Sequence, residues 1–409
     1  MLQDRRVVAE TATAASLQAE LSPIVPVGST ATLVVRLVAS DERPATGAAR
    51  GGATVTVTVV PRGLRLVVGV RRSRRVRIPS RGAVVLRFPM IATDHGPGEV
   101  TVLARGDGEP PMATVRLTTE VVESDDHDQA GLARATVPLM PADAAIGRRP
   151  TLCVEEETSR GRSILHLSLS VGDERHGWHV RLTDAPAFAD QVRTSIVEAR
   201  GAGTHPHRPD AAHEIEHRLR EVGTRLADRL LDRRARDLLW RRQDDLEGMV
   251  LQTTGETALP WEFMVLRGHG RHPAPTDPFL GGFGVVRWLT DVTNPASVRL
   301  SSGPEGMAPP RDPTAIASAS VVALGVGAGS AQAGAAQAMR NGAGVVVECG
   351  GQPDAAGSAK FLDAFASELA SGAPLDRASR RARETARAAG DACALGYAVY
   401  GHPDARAAA

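Results

Sequence analysis

Seven short runs of alternating or β-branched residues fill much of the first third of this chain, and such runs can bury an apolar face only as strands. They fall at 31–38, 54–60, 64–70, 74–78, 83–88, 99–104 and 114–121, with Gly, Pro, Asp or Ser between most of them. Successive side chains on a strand point to opposite faces, so each run offers one apolar face and one wet one. Seven such runs at this spacing predict an antiparallel sandwich of about 100 residues.

With 409 residues the chain exceeds one ordinary core and fits two domains or slightly more. The composition is globular, 42% hydrophobic and 23% charged, and Arg supplies every basic residue except Lys360. That bias points to a GC-rich bacterial genome. A formal net charge of +1 gives no global pull towards nucleic acid or an acidic membrane. Cys153, Cys349 and Cys393 are far apart and lack CxxC spacing, which argues against a disulfide framework or a zinc site and fits a reducing cytoplasm. No apolar signal core follows Met1–Arg6, and no window approaches the roughly 18 apolar residues of a membrane helix. A cytoplasmic protein without a membrane partner is expected.

The expected organisation is a sandwich over 1–122, a linker over 123–160 and an α/β domain with a mixed or parallel sheet over 161–405. The sandwich lacks the Cys-Trp-Cys pattern of antibody domains, so it is immunoglobulin-like in architecture only, and without a catalytic cluster it suits binding or spacing. Arg71, Arg72, Arg74, Arg75, Arg77 and Arg81 crowd one turn. No aromatic residue is interleaved to stack on a base, so they read as a solvated hairpin tip guarding a sheet edge, and nucleic acid is not expected. The linker opens with the acidic run Glu123 to Asp128, in which His127 has acidic neighbours, and Pro141, Gly147 and Pro150 extend it.

The third region opens on a period-two hairpin, 164–171 and 178–182, followed by a helix over 186–199. His205 and His207 share the next loop, where a metal would still need a third ligand, so neither metal nor cofactor is expected. Ile215, Leu219, Val222, Leu226 and Leu230 then recur at helical spacing and predict a core-facing helix.

Beyond that helix the order of motifs becomes specific. A strand over 248–253 leads to Leu259-Pro260-Trp261-Glu262-Phe263, then Phe279-Leu280-Gly281 and Val285-Val286-Arg287-Trp288. Later come a helix at 335–339, a strand at 342–347, helices at 361–372 and 375–383, and Tyr397 to Asp404, which contains Tyr400-Gly401-His402-Pro403-Asp404. This succession resembles the CHAT domain, a caspase-like module with a Pro-Trp-Glu motif, and the match spans about residues 160–405. The residues suggest structural roles: Pro260 breaks the strand, Trp261 anchors apolar surface, Glu262 pairs with an arginine such as Arg287, and Gly401 belongs to the last turn.

The resemblance implies a His-Gly at the end of one strand and a nucleophilic Cys at the end of the next. Here the strand at 320–324 runs into Gly325-Val326-Gly327-Ala328-Gly329, Gly327 stands near the nucleophile position, and no His occurs between His272 and His402. The expected function is therefore a non-catalytic adaptor or regulator of a bacterial defence or signalling system. Its partner would be an effector, peptidase or repeat protein encoded nearby. Two alternatives stand beside it. The first is an active cysteine peptidase using Cys349, at the end of the strand 345–347, or a residue from a partner chain, with His269 and His272 as the nearest candidate bases in sequence. Gly325 to Ser330, between a strand and an Ala-rich helix with Glu348 beyond, could hold a dinucleotide.

Overall fold

The computed structural model describes residues 15–39, 52–106, 111–123, 131–140, 144–160, 162–201, 211–255, 259–271, 274–292, 294–300, 320–324, 334–349, 355–391 and 394–408. The chain divides into two compact units. The first takes in residues up to Gly147 together with Glu157–Arg160, and the second holds Arg148–Glu156 and Gly161–Ala409.

The first unit is almost entirely strand: β1 (Ala15–Leu21), β2 (Ile24–Pro26), β3 (Thr30–Ala39), β4 (Thr54–Arg62), β5 (Leu64–Leu66), β6 (Ser73–Arg77), β7 (Ala83–Ala92), β8 (Gly96–Arg105), β9 (Pro111–Val122) and β10 (Ala133–Pro138). One sheet runs β10-β1-β3-β7-β5, and the other has β4-β8-β9-β2 with β6 beside β4. Alternation decides which residues face inward. Leu33, Val35 and Leu37 from one sheet share a core with Val55, Val57, Val59, Val100 and Val102 from the other, and burying each stabilises by about 1.5–3 kcal/mol.

Each of the seven expected runs contains a strand, but β1, β2 and β10 were not anticipated. The pairing is antiparallel apart from β2, which lies parallel to β9, and the run 64–70 is strand only over Leu64–Leu66. The stretch 123–160, expected to be a linker, instead carries β10, the short helix α1 (Ala144–Gly147) and β11 (Thr151–Ser159). In β10 Arg134 and Thr136 separate small apolar residues, and in β11 only Leu152-Cys153-Val154 is apolar before the polar run Glu155–Ser159, so neither strand carries the signal that marks the others.

In the second unit, β12 (Arg162–Val171) and β13 (Glu174–Leu182) form the expected hairpin. Helices α2 (Ala185–Gly201), α3 (Ala211–Leu230) and α4 (Arg233–Arg241) follow. The sequence reading missed α4, whose nine residues include four arginines and show only Ala235, Leu238 and Leu239 on a buried face. Asp232 caps it, its carboxylate accepting from the Ala235 N–H at 2.8 Å. Leu165, Leu167 and Leu169 of β12 pack with Ile196, Leu219, Leu226, Leu238, Trp261 and Phe263.

The remaining strands are β14 (Val250–Thr253), β15 (Val286–Leu289), β16 (Ser297–Val298), β17 (Ser320–Leu324), β18 (Ala343–Cys349), β19 (Tyr397–Tyr400) and β20 (Arg406–Ala407), with helices α5 (Ala335–Arg340), α6 (Ala355–Ala370) and α7 (Leu375–Ala388). The sheet order is β17-β18-β19-β15-β14-β11. It is mixed: β17 and β18 are parallel, β18 and β19 antiparallel, and β19, β15 and β14 parallel in turn. A mixed or parallel sheet was expected, and Cys349 ends β18 between the parallel β17 and the antiparallel β19. The unbroken run Val345-Val346-Val347 fits a strand covered on both faces. Val345 and Val347 join Phe361, Phe365 and Ala382 of α6 and α7, while Val346 joins Ala336 and Met339 of α5. Between β15 and β17, β16 pairs in parallel with β20.

Gly223 in the middle of α3 marks a close approach. A Cβ there would collide with the Phe263 carbonyl oxygen and sit 2.9 Å from Val265 Cγ2, and the Val265 N–H donates to the Gly223 carbonyl at 3.2 Å. Helix propensity alone favours Gly→Ala by about 1 kcal/mol. Gly223→Ala is nonetheless expected to lower Tm in thermal denaturation, because crowding of this kind costs about 1–3 kcal/mol; an unchanged or raised Tm would refute the contact.

Candidate functional site

Past β14, the 3-10 turn Trp261–Phe263 begins right after Pro260, and all three of its residues are buried. A carboxylate in such a place is stable only if paired. Glu262, 2% exposed, receives Arg287 Nε on Oε1 at 2.8 Å and Nη2 on Oε2 at 2.6 Å, the bidentate geometry in which a guanidinium binds most firmly. Nη2 also donates to the Leu259 carbonyl at 3.1 Å, and Nη1 to the Tyr400 hydroxyl at 3.0 Å. The Tyr400 hydroxyl in turn donates to Glu348 Oε2 at 3.1 Å. Arg287 on β15 and Tyr400 on β19 are register partners, and Tyr400 lies opposite Val346 on β18. Four polar groups thus tie one turn to three strands. Burial would push the Arg287 guanidinium down, but Glu262, with Tyr400 and Glu348, holds it well above its ordinary value.

The closing turn is anchored in the same way. Arg149 donates to Asp376 Oδ2 and Asp404 Oδ1, both at 2.6 Å, and to the Gly248 carbonyl at 3.1 Å. Burial opposes its charge, and the two carboxylates more than offset that, so its affinity for the proton is raised. At Gly401 a Cβ would come within 2.9 Å of Leu375 Cδ2 and 3.1 Å of Val345 Cγ2, so only glycine fits. His402 is buried, its ring 5.7 Å from that of Trp288, with Nδ1 accepting from the Asp404 N–H at 3.1 Å. A third buried guanidinium, Arg383 on α7, donates to the carbonyls of Tyr397 at 2.7 Å and Gly281 at 3.2 Å. Burial pushes it down to about 10 despite support from Glu262, which leaves it charged at neutral pH.

Pro260 precedes the buried turn, Trp261 is buried within it, Glu262 and Arg287 are paired, and Gly401 lies against Leu375 and Val345. The weak catalytic candidates are not brought together by any described contact. Cys349 closes β18 opposite Tyr397, between β17 and β19. His269 is exposed, and its backbone N–H donates to Asp237 Oδ1 on α4 at 2.9 Å. His272, Gly327 and the whole stretch Gly325 to Ser330 lie outside the described residues, as do His127, His205 and His207. Glu348, the acid of the dinucleotide alternative, is engaged by Tyr400.

A cleft of about 560 Å³ lies along α4, lined by Asp232, Arg233, Arg234, Asp237, Trp240 and Arg241. Its acids already have partners: Asp232 caps α4 and accepts from His176 Nε2 at 2.7 Å, and Asp237 holds the His269 turn. Arg271 covers the Trp240 ring at 4.5 Å. Neither the Tyr400–Glu348 contact nor the Arg149 anchor was read from sequence, because each partner lies more than 50 residues away and no local spacing marks it. Among the described residues no group of three or more His, Cys, Asp or Glu is placed to hold a metal ion, and no helix is long and apolar enough to cross a membrane.

Residues 19–117, within the first unit, match the model of a family described as a domain of unknown function (DUF7363). No curated protein matches the chain. Among solved structures, the chain is similar to the CARDB domain of a Pyrococcus furiosus protein, solved in complex with di-metal ions. The identity is 14%, the match covers 28% of this chain and 97% of that one, and the TM-score is 0.22, a likeness too slight to inform the fold.

If the brace holds the second unit together, Glu262→Gln or Arg287→Met should each cost about 3–5 kcal/mol in urea denaturation, since each strands a buried partner. The joint Glu262→Gln/Arg287→Met exchange should cost less than the sum of the two. Single variants that unfold at the wild-type midpoint would show the pair to be dispensable.

Proposed function

We propose that the second unit is a degenerate, shortened caspase-like domain of the CHAT type, and that the protein is a non-catalytic adaptor or regulator of a bacterial defence or signalling system. The observation that carries this reading is the buried Glu262–Arg287–Tyr400 brace. It joins the Pro-Trp-Glu turn, the Val-Arg strand and the closing segment, the three places on which the resemblance rests. The charges at the centre are spent on one another, and Asp404 and His402 of the last turn are likewise engaged by Arg149, Trp288 and backbone. Such groups hold a fold together and present no nucleophile. The sequence adds glycine at the nucleophile position and no histidine between His272 and His402. In this reading the protein works in the cytoplasm, and the immunoglobulin-like first unit serves binding or spacing beside a partner encoded nearby.

Incubating the full chain with a peptide library, alone and with proteins encoded beside it, tests the proposal. The expected result is no turnover above background and co-purification with one of those neighbours. Turnover lost on Cys349→Ala would instead make the protein a cysteine peptidase. A thermal shift with NAD that disappears in Gly327→Asp would favour the dinucleotide alternative.

A further inference from the structure

The near-neutral whole conceals a strongly polarised segment. Between Arg43 and Thr93 the chain contains eleven arginines and no Asp or Glu. The described part of that segment includes β4, β6 and β7, and its arginines gather at β6. Among the described strands β4 is the only neighbour of β6, so β6 is a sheet edge.

The register shows what this edge offers. Ile78 donates its N–H to the Ala53 carbonyl, and the Arg72 carbonyl accepts from Val59, both at 2.9 Å or less. Backbone groups alternate along a strand, so those of Ser73, Arg75 and Arg77 point away from β4. The side chains of these three residues are exposed, as are those of Arg71 and Arg81. Arg75 also stands in a row with Thr56 on β4 and Arg105 on β8.

We infer that the β6 edge is a docking site for an extended acidic segment of a partner protein, added as a further strand. Outward backbone groups supply the ladder, and guanidiniums two residues apart, about 7 Å along the strand, meet carboxylates at every second position of the incoming chain. A peptide fits better than nucleic acid. Phe88, the one aromatic residue in the segment, is buried beneath the Arg74 guanidinium at 4.8 Å, so no ring is free to stack on a base. The surface lies wholly in the first unit and is independent of the caspase-like reading of the second.

Fluorescence anisotropy of the full chain with a labelled decapeptide alternating Glu and Thr tests this directly. The Glu peptide should bind, weaken with added salt, and bind roughly tenfold more tightly than its Gln counterpart. Arg75→Glu/Arg77→Glu, or the milder Arg77→Gln if the double variant does not fold, should weaken binding with Tm unchanged. N-methylating alternate peptide residues should abolish it. No binding, equal binding of the Gln or N-methylated peptide, wild-type affinity in the variants, or displacement of the peptide by duplex DNA would each overturn the proposal.

Discussion

A carboxylate and a guanidinium taken out of water together are stable only while both remain, and Glu262 and Arg287 are 2% and 4% exposed. Desolvating either alone would cost several kcal/mol, so the turn carrying Glu262 and the strand carrying Arg287 cannot separate without a large penalty. The order of the second unit follows from this. Trp261 and Phe263 are carried into the α2–α3–α4 core by the turn that delivers Glu262 to β15. Arg287 then reaches Tyr400, which fixes β19 between β15 and β18. Buried ion pairs add little net stability over apolar packing, but they do specify one arrangement over others.

The same logic explains why three arginines sit in the second unit's interior or near it with different partners. Arg287 and Arg149 meet carboxylates and are held charged. Arg383 meets only carbonyl oxygens in its strong contacts, and its proton is held less firmly as a result. Its planar fork gathers the ends of the Leu280–Phe283 turn and β19, bonds that an apolar side chain could not make. Polar groups in this region are therefore invested in geometry. A site for covalent chemistry needs the opposite: a group left reactive and a second one aimed at it.

Much of this was legible in the sequence wherever a residue's role is local. Alternation in β3, β4 and β8 exposed the sandwich, the three- and four-residue steps from Ile215 to Leu230 exposed α3, and Pro260-Trp261-Glu262 announced a buried carboxylate in need of an arginine. What escaped depended on partners far away or on patterns diluted by charge. β10 alternates half-buried with exposed residues and lacks the apolar contrast that marks a strand. α4 has three buried positions among arginines, too few to advertise a face. Tyr400 to Glu348 and Arg149 to Asp404 join residues that only the folded sheet brings within reach. The antiparallel β19 likewise cannot be read from its four residues, since direction is set by the chain's return path and leaves no mark on composition.

Charge distribution separates what net charge conflates. A total of +1 describes the whole chain, yet the segment 43–93 holds no acid at all, and its compensation lies elsewhere in sequence, including the run Glu123 to Asp128. Screening confines an exposed charge's influence to about 8–10 Å at ordinary ionic strength, so net charge says little about the potential at any one edge. A partner approaching that edge meets the local field, and the protein's near neutrality then works as a filter. It gives no general attraction for polyanions, and anions are favoured only where backbone groups and guanidiniums coincide. Two kinds of arginine use follow within one chain: in the second unit Arg287 and Arg383 are buried among fixed partners, and in the first Arg75 and Arg77 stand exposed on an edge strand.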